Sequence, residues 1–347
     1  MFTPLLEKLT RSRDLTTEEA AAAMTEIMEG RVTAAQIAGF LVGLAMKGER
    51  PDEVVGLART MREHAVKLSR PYPEAFDMCG TGGDRSGTFN ISSVASVVVA
   101  AAGVMVAKHG NRSVSSRCGS ADLFESLGVK TSASPAIVER CLREAGLAFL
   151  FAPTFHPSMR HAAPVRRELG VRSAFNLLGP LTNPVGPRRQ IVGVPRPEFT
   201  ELLARALALL GSERAWVVHG ADGIDEVSTT GYTKISECHA GTVNTFYVHP
   251  SEFGVGKASS PDLLGGDAAA NAAIAREVLS GARGPRRDVV LLNAGAALFV
   301  AGHSATVRAG IAAAEQSIDS GRATQVLARL VVVSQEPEVS GALSGSV

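Results

Sequence analysis

Cysteine is scarce in this chain. The four present, at positions 79, 118, 141 and 238, form no C-x-x-C pair. That argues against a zinc knuckle or a dithiol redox motif, and the expectation is a reduced, cytosolic chain. Aromatic residues make up only 5%, whereas Ala, Gly and Val abound; such small side chains suit tight helix-on-sheet packing. Charge of one sign is lacking too. A formal net charge of +1 offers no field for nucleic acid or anionic lipid. The most apolar run, "ASVVVAAAGVMVA", is too short to span a bilayer, and "MFTPLLEKLTRSRDL" does not read as a signal peptide.

What is present is 347 residues, 45% hydrophobic and 20% charged, enough for a large core and two domains. The first 70 or so residues read as four short helices. Thr3-Pro4 reads as a cap followed by Pro at the first helical position. Thr16 with Glu19 and Thr33 with Gln36 are capping boxes, and Pro51 opens "PDEVVGLARTMREHAVKL". From residue 74 short apolar runs alternate with helical stretches: "AFDMC", "VMVA", "AFLF", "QIVGV", "AWVVHG", "TFYVH" and "VVLLNA". The alternation predicts an α/β domain around a mostly parallel sheet. The expected division is a small helical domain over 1–70, joined by part of 156–184, an α/β domain over 74–335 and a frayed tail over 336–347.

The first chemical signal is "CGTGGDRSGTFNISS", which follows a strand and opens a helix. Glycines let backbone N–H groups approach an anion, and a helix start leaves its own N–H groups unpaired. The reading is a phosphate or pyrophosphate cradle, with Asn90, Ser92 and Ser93 as added donors. The spacing is not G-x-G-x-x-G, because Arg85 stands at the third glycine position, and it is not a P-loop. A flexible turn capped by Asn90 is the plainer alternative. A second loop, "KHGNRSVSSRCGSAD", repeats the design, with Lys108, Arg112 and Arg117 supplying charge. Third, "HGADGIDEVSTTGYT" places Asp225 beside Glu226 in what reads as a βα connection. Paired carboxylates facing phosphates call for Mg²⁺ between them. His219 and Asp222 flank them as weaker candidates. Finally, the arginine-rich "RHAAPVRRELGVRSAFNLLGP" could pair a substrate carboxylate.

Together these motifs make the chain resemble the anthranilate phosphoribosyltransferase family: "GTGGD" at 80–84, "FNISS" at 89–93, "KHGNRSVSSRCGSAD" at 108–122, "GIDEVS" at 223–228, "RRELGVRSAFNLLGPLTNP" at 166–184 and "GGDAAANA" at 265–272. The resemblance implies the phosphorylase-like fold just described, a homodimer through the helical domain, and a cleft between the domains. There 5-phosphoribosyl would pass from phosphoribosyl pyrophosphate (PRPP) to the amine of anthranilate, with Mg²⁺ as cofactor and no nucleic-acid or membrane partner. It implies PRPP contacts at Gly80, Gly83, Asp84, Thr88, Asn90, Ile91, Ser92 and Ser93. Further contacts run through Lys108, His109, Gly110, Asn111, Arg112, Ser113, Val114, Ser115 and Ser116 to Ser120. Ser92, Asp225 and Glu226 would hold metal. Gly80, Asn111 and Arg166 would contact anthranilate, with His109 and His156 beside its ring. Lys108, Asp225 and Glu226 would matter most to catalysis. Ser93 and Cys118 stand where the family more often has Thr and Ser. A pyrimidine nucleoside phosphorylase and a non-catalytic nucleic-acid-binding relative are the rival readings.

Overall fold

The computed structural model describes residues 2–113 and 117–337. Val114, Ser115, Ser116 and most of the expected tail lie outside the described residues. Four helices open the chain: α1 (Phe2–Thr10), α2 (Thr17–Met28), α3 (Ala34–Lys47) and α4 (Pro51–Glu63). Both capping boxes form. Thr16 Oγ1 accepts from the Glu19 N–H at 3.2 Å while Glu19 accepts from the Thr16 N–H at 3.0 Å. Thr33 and Gln36 do the same at 3.3 and 3.0 Å. Two boundaries differ from the sequence reading. Helix α1 already runs from Phe2, so Thr3 lies inside it rather than capping it. Helix α4 stops at Glu63, because the chain beyond turns to pair the Val66 N–H with the Phe155 carbonyl at 2.8 Å.

Seven strands follow: β1 (Phe76–Gly80), β2 (Val106–Gly110), β3 (Leu147–Phe151), β4 (Arg189–Gly193), β5 (Arg214–Gly220), β6 (Thr233–His239) and β7 (Thr242–Val248). They form one sheet in the order β3-β2-β1-β4-β5-β6-β7, parallel through β5 and antiparallel beyond it. Strand β6, "TKISECH", went unread because its polar residues hide a half-buried alternation. Conversely, "VVLLNA" is no strand. It lies within the helix Pro285–Val300, buried on nearly every side, and a short apolar run cannot by periodicity be told from such a helix.

The sheet separates two apolar clusters. On β5, Trp216 and Val218 join one and Ala215 and Val217 the other, as the two-residue period of a strand requires. The first cluster takes in helix α5 (Ile91–Ala101) and the helix Pro285–Val300. The second joins Met24, Phe40 and Leu57 of the N-terminal helices to Leu203 and Leu207 of the helix Glu198–Leu209. It also holds Ala162, Val165, Phe175 and Leu178, from the strandless stretch after β3. That stretch is therefore packed onto the N-terminal helices. Register aligns Gly80 with Gly193 and Gly193 with Val218. The loops after β1, β4 and β5 thus emerge along one sheet edge, where ligands gather in open α/β sheets.

Candidate active site

The glycine loop leaves β1 at Gly80. Gly82, Gly83 and Gly87 take φ of +68°, +80° and +71°, a region that side chains resist. Asn90 occupies the N-cap position of α5, but its side chain does not cap the helix. Its Nδ2 donates to the Cys118 carbonyl at 3.1 Å, and its Oδ1 accepts from Asn271 Nδ2 at 2.9 Å and Cys118 Sγ at 3.3 Å. The cysteine thus keeps the hydrogen bond that a serine there would make, and the helix cap expected of Asn90 in the plainer reading does not form. The freed helix start is engaged instead by Glu226, whose Oε1 accepts the Ser92 N–H at 2.9 Å. Ile91 and Ser93 are buried, so what they bring to the helix start is backbone. Thr88 and Asp84 meet through Ser86 Oγ, 3.1 Å from Thr88 Oγ1 and 2.5 Å from Asp84 Oδ2.

The second loop begins later than its sequence implied, because Lys108, His109 and Gly110 complete β2. Lys108 is 2% exposed and donates from Nζ to the Met78 carbonyl at 2.6 Å. Arg112 is committed to Asp122 at 2.9 Å and Glu125 at 2.7 Å, which removes it as an uncompensated charge for phosphate. Ser113 donates its N–H to Asp122 at 3.3 Å, and the Asn111 carbonyl accepts from Ser120 Oγ at 3.3 Å. An added Cβ at Gly110 would collide with Ser120 Oγ and Phe149, so the loop folds back on its strand.

Asp225 and Glu226 arrive from the connection between β5 and β6. That connection is antiparallel rather than βα, so these acids do not start a helix. A Cβ at Gly80 would strike Asp225 Oδ2, and one at Gly193 would strike the Asp225 carbonyl. Burial pushes the Asp225 carboxyl up to about 7, with Asp84 adding to it, and Glu226 up to about 8, with Asp225 adding to it. The buried Lys108 ammonium offsets both. Among the described residues no three His, Cys, Asp or Glu side chains gather at one point. Two carboxylates and a serine hydroxyl, all hard oxygens, fit Mg²⁺ if phosphate oxygens and water complete its shell. His219 and Asp222 serve the turn instead, bonding the Val194 carbonyl at 2.9 Å and Ser228 Oγ at 3.1 Å.

The His109 and His156 rings stand 5.3 Å apart. His109 donates Nδ1–H to the Gly179 carbonyl at 3.0 Å, which leaves Nε2 an acceptor; the Nε2 atoms of both rings are buried without a partner. Burial, then the charge of His109, holds His156 down to about 3, and burial lowers His109 as well. Arg166, on the helix Ala163–Leu169, lies 5.1 Å over the Phe175 ring. Its half-buried guanidinium forms no ion pair among the described residues.

Two residues at the site escaped the sequence reading. Asn271, 2% exposed in an alanine-rich helix, bridges Asn90 to the Gly266 N–H; a lone amide in such a helix was its signal. Arg172 donates to the Gly82 carbonyl at 3.0 Å, and nothing in the sequence set it apart from its arginine-rich surroundings.

Residues 72–324 match the model for the glycosyl transferase family a/b domain, and residues 3–65 that for the family's helical bundle domain. An anthranilate phosphoribosyltransferase of Moorella thermoacetica is 54% identical over 331 residues, covering 95% of this chain and 98% of that protein. The chain belongs to the anthranilate phosphoribosyltransferase family. The solved family structure from Thermus thermophilus superposes with a TM-score of 0.91 at 44% identity, covering 95% of this chain and 99% of that one. The enzyme from Saccharomyces cerevisiae in complex with PRPP and Mg superposes with a TM-score of 0.87 at 28% identity, covering 96% and 97%.

Proposed function

We propose that this protein transfers 5-phosphoribosyl from PRPP to the amine of anthranilate, releasing pyrophosphate, as a step of tryptophan biosynthesis. The observation that carries the reading is the nesting of Asp225 and Glu226 against Gly80 and the start of α5. It turns a glycine loop into a site for a metal-bound pyrophosphate. The reactants meet in the cleft between a helical domain, residues 1–70 with part of 156–184, and an α/β domain, residues 74–335. Asp84, Thr88, Asn90 to Ser93, and Lys108 to Ser116 with Ser120 surround PRPP. Arg166 takes the anthranilate carboxylate, with Gly80, Asn111, His109 and His156 around the ring.

In the reaction the anomeric C–O bond breaks, pyrophosphate leaves with the bonding pair, and the aromatic amine forms a C–N bond to the same carbon and releases one N–H proton. Mg²⁺, when bound, neutralises charge on the departing pyrophosphate. Asp225 and Glu226, with Ser92, hold that ion in place. Buried Lys108 balances the two carboxylates and favours their ionised form. The N–H groups of the glycine loop and α5 stabilise negative charge as it develops on the leaving group. The bare Nε2 atoms of His109 and His156 accept from the amine N–H groups and orient the nitrogen toward the anomeric carbon.

No helix is long and apolar enough to cross a membrane among the described residues. The four cysteines are free and buried, which supports a reducing, cytoplasmic setting. A homodimer through the helical domain belongs to the same reading, supported by Met46, an exposed methionine on α3; analytical ultracentrifugation reads it directly. The activity is tested by following anthranilate fluorescence. Loss that requires protein, PRPP and Mg²⁺ together, with pyrophosphate released, is the expected result. No loss in a folded protein that binds PRPP would remove anthranilate as the acceptor.

A further inference from the structure

We infer that Arg172 is a positioning residue that holds the glycine loop against the metal-binding carboxylate Asp225. The inference rests on the reading of the glycine loop as the PRPP pyrophosphate site. The glycine loop is held from two sides. The Gly82 carbonyl accepts from Arg172 Nη1 at 3.0 Å, and Asp225 lies so close to the end of β1 that a Cβ at Gly80 would strike its Oδ2. The guanidinium lies so close over the loop that a Cβ at Gly83 would collide with Nη1. Glycine at 83 thus serves both its φ of +80° and the approach of this side chain.

Arg172 has no carboxylate within ion-pair distance among the described residues, and its Nη2 is buried with no partner. Arg112, by contrast, is paired with two acids. A buried guanidinium nitrogen without a partner is costly, and the charge of Arg172 lies near Asp225 and Glu49 as well as near Arg196 and Arg85. The residue arrives by a short path. The helix carrying Arg166 ends at Gly170, in the left-handed conformation, and the following turn is pinned where the Ser173 N–H donates to Asn176 Oδ1 at 2.9 Å. The segment that supplies the anthranilate-side arginine therefore also supplies the clamp on the metal-side loop.

The test compares Arg172→Ala and Arg172→Lys with the full-length protein. Calorimetry measures binding of inorganic pyrophosphate in the presence of Mg²⁺, steady-state rates give both KM values, and thermal melts check the fold. Arg172→Ala is expected to weaken Mg²⁺-pyrophosphate binding about tenfold or more, the scale for losing a group that orients a metal ligand. It should raise the PRPP KM in step and leave the anthranilate KM unchanged. Arg172→Lys keeps one donor for the Gly82 carbonyl and should restore most of the pyrophosphate affinity. Unchanged pyrophosphate binding in Arg172→Ala would overturn the inference. So would an Arg172→Lys protein as weak as the alanine variant, which would mean that the guanidinium grips the ligand itself. Pyrophosphate binding is read without anthranilate, so a wild-type protein that failed to consume anthranilate would refute the acceptor assignment and leave this comparison decisive.

Discussion

Ser92 donates its backbone N–H to Glu226 Oε1 at 2.9 Å across 134 positions of sequence. That bond ties the helix closing the glycine loop to the acid pair from the far side of β5. It means that the start of α5 and the acid pair are one unit, and perturbing either should disturb both.

Changing Asp225→Asn together with Glu226→Gln tests this directly. Turnover should fall about a hundredfold or more, the scale of losing a metal ion's charge stabilisation. Glutamine keeps an oxygen for the Ser92 N–H, and the mutual repulsion of two buried acids is gone, so the Mg²⁺-free melting temperature should rise. Near-normal rates at limiting Mg²⁺ would refute the metal assignment.

The same pair makes Mg²⁺ stabilisation depend on pH. The folded carboxyls lie at about 7 and about 8, above the ordinary values of 3.8 and 4.5. Between those limits the folded protein binds more protons than the unfolded chain, so the pair's contribution to stability falls as pH rises. Mg²⁺ displaces those protons, and its stabilising effect should grow from pH 6 to pH 8. Melting curves with and without the ion would show this, and a gain independent of pH would contradict it.

His156 carries the opposite slope. Its folded value of about 3 lies below the ordinary 6.5, so the unfolded chain binds the extra proton. The contribution is fully present above about pH 6.5 and is lost as pH falls toward 3. His156→Gln should flatten the acid limb of the melting-temperature profile. An NMR titration showing His156 protonating near pH 6.5 would disprove the burial argument.

Arg166→Ala should raise the KM for anthranilate roughly tenfold or more, the scale of a charged hydrogen bond. The PRPP KM should hold within about twofold, since Arg166 lies over the Phe175 ring and forms no hydrogen bond to the glycine loop among the described residues. Equal rises in both would remove its specific role.

Gly80→Ala separates site from fold. Gly80 ends a strand without positive φ, so alanine fits the backbone, but its methyl would strike Asp225 Oδ2. Mg²⁺-dependent PRPP binding should be lost while circular dichroism stays native. Retained binding would show that Asp225 stands away from the loop.

The sequence by itself determined the local devices: the capping boxes at Thr16 and Thr33, the glycines that admit positive φ, and the adjacent acids at 225 and 226. These are legible because each acts through neighbours a few positions away. The order of alternating runs likewise implied a mostly parallel sheet. What the tertiary structure alone decided was which groups meet. Arg112 is a bare charge in the sequence, and only folding pairs it with Asp122 and Glu125. Asn90 looked like a helix cap, but folding drew it to Asn271 and Cys118 and left the helix start to Glu226. "VVLLNA" was misread because burial on nearly every side erases the period that separates helix from strand, and β6 was passed over because its polar residues hide a half-buried alternation. The contact of Arg172 with Gly82 spans 90 residues; such a partnership arises from chain crossings that no local pattern records.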